Sequence, residues 1–238
     1  FSITATRQNT NIITSDRFVD KLIEQEISFG WYFTYIPIGK KPALELMQTP
    51  GQRIHMGKKI WEWRSNRPIF IGDFWNDGPW VGGCIAAGRK YFHINALGDV
   101  EPCVFVHFAT DNIYHLWRKG KGLKEAITSD FFKTIRKKQL GIDNWPTPCC
   151  IIDYPTILRD AVRENNAYPT HKGAETIIQG KIACSLNTYS AQMRESTWRE
   201  FQRMKNEEYD TPTVKLSKVI ENYLRKNLRE YKSMFPEK

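Results

Sequence analysis

The chain has 238 residues, of which 41% are hydrophobic and 26% are charged, and its formal net charge is +9. This composition is typical of a globular protein and excludes a disordered one. No stretch approaches the roughly 18 consecutive apolar residues of a transmembrane helix, and the sequence opens without an initiator Met or a signal peptide, so we expect a piece of a longer protein without a membrane span.

The first part of the chain is predicted to alternate strands and helices. Residues 1–6 are β-prone, a helix cap at 14–16 precedes apolar residues at helical spacing, and residues 29–38 have the pattern of a buried strand. A second helix is predicted from Thr49-Pro50 to Asn66, followed by an extended segment over 67–74. Such βαβ units build parallel sheets and α/β barrels, in which the carboxyl ends of the strands carry the site.

A Gly- and Pro-rich segment over residues 76–88 predicts a domain boundary, which separates a domain 1–75 from a domain 76–185. The second domain begins with a predicted β-hairpin, whose strands over 90–95 and 100–107 meet at a turn that contains Gly98. Helices are then predicted over Leu123 to Gln139 and from Pro155 to about Asn165.

Residues 186–238 are predicted to form a helical carboxy-terminal extension. Within it, Val214 to Met234 is strongly amphipathic and basic, which favours a helix packed on its own protein over a helix on a membrane surface. Other basic clusters, such as Arg136-Lys137-Lys138, also lie on amphipathic helices. The scattered positive charge therefore indicates solvated faces, and we do not expect a nucleic-acid partner.

The five cysteines carry the chemical signal. An odd number without a secretory signal argues against a disulfide framework and favours a reducing, cytoplasmic compartment, where thiols pack, react or bind metal. Cys84 precedes the predicted hairpin and Cys103 follows its turn. Because a hairpin reverses the chain, both thiols can lie at one metal centre; the alternative is a pair of core thiols.

The segment around these two cysteines resembles a known family. Thirteen residues separate Cys84 from Gly98 and four separate Gly98 from Cys103, within the run Gly98-Asp99-Val100-Glu101-Pro102-Cys103. This pattern resembles the opening half of the SPASM and twitch auxiliary-cluster domains of radical S-adenosylmethionine (radical SAM) enzymes. Residues 1–9, 15–18 and 30–39, the last ending in Pro37-Ile38-Gly39, resemble the final two strands of the partial barrel in these enzymes.

The resemblance implies an α/β fold in which the last strands of a partial (β/α) barrel precede a small SPASM/twitch-like α+β domain with a β-hairpin and carboxy-terminal helices. It also implies one auxiliary 4Fe-4S cluster, held by four thiolates. Cys84, Cys103 and Cys149 are three expected ligands. Cys184 is preferred over Cys150 as the fourth, since adjacent residues of an extended segment point to opposite faces; His171 or an open iron site are further alternatives.

The resemblance further implies a radical SAM parent enzyme. None of the five cysteines forms the CxxxCxxC triplet of that family, and the first barrel strands and the Gly-Gly-Glu segment are missing, so this chain alone is not expected to cleave S-adenosylmethionine. The parent would bind S-adenosylmethionine and a second 4Fe-4S cluster, act on a peptide or small molecule, and receive electrons from a ferredoxin or flavodoxin. Thr6, Arg7 and Asn9, at the carboxyl end of the first strand, are candidate cofactor contacts or plain loop residues.

Two other hypotheses remain open at this point. The chain is compatible with a stand-alone iron–sulfur or zinc-binding module, since four thiolates also suit zinc. It is also compatible with a basic nucleic-acid-binding protein without metal, whose binding would be salt-sensitive.

Overall fold

The computed structural model describes residues 1–207, and the amphipathic segment predicted over Val214 to Met234 lies outside the described residues. Its first sheet contains three parallel strands, β1 (Ser2–Ala5), β2 (Phe29–Thr34) and β3 (Phe70–Asp73), in the order β1-β2-β3. Helices α1 (Thr10–Ile13) and α2 (Asp16–Glu24) connect β1 to β2. The predicted βαβ unit is therefore confirmed, and the extended segment after residue 66 supplies the third strand.

Helix α3 (Pro50–Asn66) connects β2 to β3 and begins and ends where the sequence predicted. Its start is a capping box, in which Thr49 Oγ1 accepts a hydrogen bond from the backbone N–H of Gln52 (3.2 Å) and the Gln52 side chain accepts one from the backbone N–H of Thr49 (3.0 Å). Met56, Ile60 and Trp63 of α3 are fully buried between this helix and the sheet. Burial of this face holds the helix on the sheet.

The predicted β-hairpin is present but shorter than the sequence indicated. Strand β4 (His93–Ile94) pairs antiparallel with β5 (Asp99–Glu101), and β5 pairs with β7 (Asp111–Asn112). Strand β5 ends early because a tight turn follows it, closed by a hydrogen bond from the Val106 N–H to the Cys103 carbonyl (2.8 Å). Gly98 lies in the hairpin turn with a φ of +86°, a value that glycine adopts without strain.

The remaining elements are mostly helical. A short two-stranded sheet joins β6 (Phe108–Ala109) to β8 (Tyr168–Pro169). The helices are α4 (Gly78–Val81), α5 (Ile113–Arg118), α6 (Leu123–Ile127), α7 (Asp130–Leu140), α8 (Pro155–Glu164) and α9 (Gly180–Glu207). The helix predicted over Leu123 to Gln139 is two helices, α6 and α7, because Ser129 caps a new helix by accepting a hydrogen bond from the Phe132 N–H. The helix predicted from Pro155 is confirmed as α8.

The larger hydrophobic core runs across the boundary predicted near residue 76. Ile36, Met47 and Trp75 belong to the same cluster of buried residues as Ile135 on α7 and Leu158 on α8. The described residues thus form a mixed α/β structure in which the parallel sheet and the later helices share apolar contacts. The segment over 76–88 joins two parts of one core.

A buried ion pair also joins the two sides. Arg53, on α3, donates to Asp153 through Nη1 (2.6 Å to Oδ1) and Nη2 (2.9 Å to Oδ2), and both side chains are fully buried. Arg53 also donates to Asn76 Oδ1 (3.4 Å) and to the Pro146 carbonyl (3.3 Å). Such a bidentate pair is strongly directional, so it sets the position of the segment before α8 relative to α3.

Asp153→Asn should lower the free energy of unfolding by about 3–5 kcal/mol, because Arg53 would remain buried without its counter-ion. Urea unfolding followed by circular dichroism measures this loss. The matched control is Asp20→Asn, which removes one of the two carboxylate partners of Arg67. Asp20 is 49% exposed in this pair, so its loss should cost about 0–1 kcal/mol. Equal effects of the two variants would contradict a special role of the buried pair.

Gly98→Ala should also be destabilising, for two reasons. A Cβ at Gly98 would lie 2.5 Å from the Tyr114 ring, so about 1–3 kcal/mol of crowding adds to the roughly 1–2 kcal/mol of left-handed strain in a non-glycine residue. Gly120→Ala separates the two effects, because Gly120 has a φ of +65° and its Cβ would meet nothing within 4 Å. Thermal unfolding should place Gly98→Ala well below Gly120→Ala.

Candidate metal centre

Four of the five cysteines line one cavity of about 450 Å³. They come from three segments of the chain and are called the cavity cysteines below: Cys84, Cys103, Cys149 and Cys150. Cys84 is half-buried and the other three are buried, and all are free thiols. The cavity lies between the end of β3 and the loops that carry these residues, so it occupies the junction of the parallel sheet and the hairpin.

Local backbone structure places Cys84. Helix α4 ends at Val81, and its C-terminal cap, Gly82, has the left-handed conformation with a φ of +72°; Gly83 follows with a φ of +96°. These two glycines turn the chain sharply. Arg89 then holds the loop through Nη1, which donates to the Cys84 carbonyl (2.7 Å), and through Nη2, which donates to the Val81 carbonyl (2.8 Å).

The hairpin turn after β5 places Cys103 next to the Cys84 loop. The backbone N–H of Ala87 donates to the carbonyl of Pro102 (2.8 Å), which ties the two segments together. The hydroxyl of Tyr91 lies 3.9 Å from Cys103 Sγ and accepts a hydrogen bond from the backbone N–H of Val104. The juxtaposition of Cys84 and Cys103 that the hairpin predicted is therefore present at the cavity wall.

Cys149 and Cys150 both face the cavity because their segment is a turn. The N–H groups of Asp153 and Tyr154 donate to the Cys149 carbonyl (3.0 and 2.9 Å), and Asp153 Oδ2 accepts from the Cys149 N–H (3.0 Å). The expectation of opposite faces assumed an extended segment, and that assumption was wrong. The Asp153 carboxylate that closes the turn is the one that pairs with Arg53.

The structure places Cys184 and His171 away from the cavity. Cys184 is exposed on α9. His171 is exposed in the loop after β8, where its ring lies 5.2 Å from that of His107. Neither residue lines the cavity, whereas Cys150 does. The identity of the fourth ligand stays a prediction.

The candidate cofactor contacts at the end of β1 form a local turn. The Thr6 N–H donates to Asn9 Oδ1 (2.7 Å) and the Asn9 N–H donates to Thr6 Oγ1 (3.3 Å). Arg7 donates from Nε to the Met47 carbonyl (2.9 Å). These contacts match the loop-structure alternative, and none of the three residues lines the cavity.

Burial holds the cavity cysteines in the neutral thiol form. It raises the pKa of Cys149 to about 12, with further contributions from the negative charge of Asp153 and from Cys84. It raises the pKa values of Cys103 and Cys150 strongly, and each is raised further by the other cavity cysteines. Four thiolates cannot share this site without a cation, because each anion disfavours the next.

Aromatic side chains also line the cavity, and the sequence analysis did not identify them. Trp75 contacts Phe105 at 5.0 Å and Phe74 at 5.2 Å between ring centroids. Phe33 does not line the cavity but packs on Phe74 at 5.6 Å. The high aromatic content was the only sign of them in the sequence. Because these residues lie in distant segments, the sequence did not show that they line one cavity. An apolar wall of this kind limits water access to a bound metal group.

Four thiols line one cavity, and thiolates are the ligands that iron–sulfur clusters take, so the types of residue present fit such a cluster. Within residues 1–207, no three side chains of His, Cys, Asp or Glu converge as the ligands of a single ion do. Cys84, Cys103, Cys149 and Cys150 would hold the cluster.

Comparison with protein-family models, curated proteins and solved structures finds no match to this chain. In the part of the chain that the structure describes, no helix combines the length and the apolar character needed to cross a membrane.

Asp73, at the carboxyl end of β3, lines the same cavity. Its raised pKa should make the stability of the fold depend on pH. Burial, and then the charge of Asp77, raise its pKa to about 6, against about 3.9 in an unfolded chain. The folded state therefore binds this proton more tightly, so the contribution of Asp73 to stability is largest below pH 4 and is lost as the pH rises through 6.

Urea unfolding of the wild type and Asp73→Asn at pH 4, 5, 6 and 7 measures this effect. The stability of the wild type relative to the variant should fall between pH 4 and pH 7, by an amount on the order of 2–3 kcal/mol. A difference that stays constant over this range would show that Asp73 titrates normally.

Proposed function

We propose that this chain is the carboxy-terminal part of a radical SAM enzyme and that the cavity cysteines hold an auxiliary 4Fe-4S cluster. One observation carries the proposal: thiols from three distant segments line a single cavity of about 450 Å³. Buried cysteines that only pack act as small hydrophobes and leave no open space beside them. Ligand sites are mostly apolar clefts of a few hundred Å³ with a few convergent polar groups, so a cavity of this size lined by four thiols supports a ligand site rather than a packed core.

The electrostatics of the site support a metal group. Burial and mutual repulsion raise the pKa values of the cavity cysteines, which favours their neutral thiol form. Cations bound at the site would remove these protons and compensate the four charges, so that metal binding releases protons and stabilises the fold at once. The aromatic wall of Trp75, Phe105 and Phe74 would keep water away from the bound cluster.

The residues around the thiols would orient them for the cluster. The Ile151 N–H donates a hydrogen bond to Cys149 Sγ (3.4 Å). The Asp153 carboxylate, which pairs with Arg53, accepts from the Cys149 N–H and so holds the same turn. Hydrogen bonds to the ligand sulfurs are among the factors that set the potential of a cluster. When bound, the auxiliary cluster would bind substrate or transfer electrons.

The remaining parts of the proposal rest on the resemblance in sequence. The parallel strands β1, β2 and β3 would be the last strands of a partial barrel, and the CxxxCxxC cluster and the S-adenosylmethionine site would belong to a preceding part of the parent protein. The parent would abstract hydrogen from a peptide or small molecule and receive electrons from a ferredoxin or flavodoxin. It would act in a reducing, cytoplasmic compartment.

Anaerobic reconstitution of the full 238-residue chain with iron and sulfide tests the cluster. The wild type should be brown, contain about four irons per chain, and give an EPR signal on reduction. Replacing any one of the cavity cysteines with Ala should lower the iron content severalfold, because one corner of the cluster would lose its thiolate. Cys184→Ala is the matched control and should load like the wild type, since Cys184 is exposed on α9.

Two results would contradict the assignment. A colourless protein that binds one zinc would support the zinc-module alternative. If Cys184→Ala lost iron while Cys150→Ala bound iron fully, the fourth ligand would be the exposed Cys184 and not Cys150.

A further inference from the structure

Tyr91 joins the loop that carries Cys84 to the turn that carries Cys103. Its backbone belongs to the first segment, because the Tyr91 N–H donates to the Ile85 carbonyl (3.1 Å) and the Gly88 N–H donates to the Tyr91 carbonyl (3.0 Å). Its hydroxyl reaches the second segment and donates to Cys103 Sγ at an O–S distance of 3.9 Å. The residue therefore bridges two of the segments that supply cavity cysteines.

Apolar packing holds the ring of Tyr91 in place. The ring meets that of Phe74 edge-on, with 6.0 Å between the centroids and an angle of 88° between the planes, and it packs against the larger hydrophobic core. Tyr91 itself does not line the cavity, so its ring leaves that space to a ligand. Because the backbone and the ring are both fixed, the hydroxyl is offered to the sulfur at little further cost in conformational entropy.

The hydrogen bonds of the Tyr91 hydroxyl assign the direction of its contact with Cys103. The Val104 N–H donates to the Tyr91 oxygen (2.5 Å), and a backbone N–H can only donate, so the oxygen is the acceptor in that contact. The hydroxyl proton is then available for the buried Cys103 sulfur. A hydroxyl that already accepts one hydrogen bond donates a stronger one, because linked hydrogen bonds polarise one another.

We propose that Tyr91 is a positioning residue whose hydroxyl donates to the Cys103 sulfur when that sulfur binds the auxiliary cluster, and that this hydrogen bond raises the reduction potential of the cluster. The inference rests on the proposed function. A neutral thiol accepts hydrogen bonds weakly, but metal binding converts it to a thiolate, and hydrogen bonds to an anion are stronger. Reduction adds one electron to the cluster, and a donor at a ligand sulfur stabilises this more negative state.

Tyr91→Phe tests the inference, because it removes the hydroxyl and keeps the ring. The full chain is reconstituted with iron and sulfide, and its midpoint potential is measured by EPR-monitored redox titration with dithionite as the reductant. The variant should hold as much iron as the wild type and should have a more negative potential. Water can replace the hydroxyl as the acceptor of the Val104 N–H, since that contact is exposed.

Tyr35→Phe is the matched control. The Tyr35 hydroxyl also accepts from a backbone N–H, that of Ala43 (3.0 Å), and its ring also packs against the larger core. Its contact is therefore of the same kind but does not involve a cysteine sulfur. The potential of Tyr35→Phe should equal that of the wild type. An equal shift in both variants would overturn the inference, because it would assign the shift to packing.

A second measurement does not require the variant to fold. In wild-type protein whose tyrosine hydroxyls carry ¹⁷O, pulsed EPR of the reduced cluster should detect a coupling to this oxygen. An unshifted potential in fully loaded Tyr91→Phe, or a labelled wild type without the coupling, overturns the role of Tyr91 alone. A wild type that binds no iron overturns the proposed function and this inference together.

Discussion

The buried pair of Arg53 and Asp153 is the contact on which the geometry of the candidate site depends. Arg53 belongs to α3, which is held on the parallel sheet by its own buried apolar face, whereas Asp153 closes the turn of Cys149 and Cys150. Desolvating two charges is expensive, and a bidentate geometry with additional hydrogen bonds is needed to offset that cost. The pair therefore tolerates little displacement, and the turn lies where the sheet and α3 place it.

A second constraint acts at the cavity itself. Its lining is mostly thiols and apolar or aromatic side chains, with the charged residues Arg64, Asp73 and Asp77 beside them. Burial at this site raises the pKa of Cys149, so any thiolate formed there is poorly solvated. The same apolar character that keeps the thiols neutral would strengthen their attraction to a bound cation. Two supporting groups around this centre already have partners: Asp153 pairs with Arg53, and the Ile151 N–H donates to the Cys149 sulfur.

Several local features were predictable because they depend on neighbouring residues. The capping box at Thr49 and Gln52 determines where α3 begins, and the glycine in the hairpin turn determines that the chain reverses between Cys84 and Cys103. The length of β5, the break between α6 and α7 and the turn of Cys149 and Cys150 were not predicted. Each of these depends on a hydrogen bond that the local sequence pattern does not reveal. The Ser129 cap, for example, lies within a sequence whose apolar spacing continues like that of one helix.

The sequence by itself determined the first βαβ unit, the hairpin and the closeness of Cys84 to Cys103, since capping, turn chemistry and periodicity act over a few residues. Only the tertiary structure decided that Cys150 rather than Cys184 lines the cavity and that one core spans the segment over 76–88. The physical reason is that these outcomes depend on contacts between segments far apart in the chain, such as the Arg53–Asp153 pair. A local pattern contains no information on which distant partner a buried charge or thiol will meet.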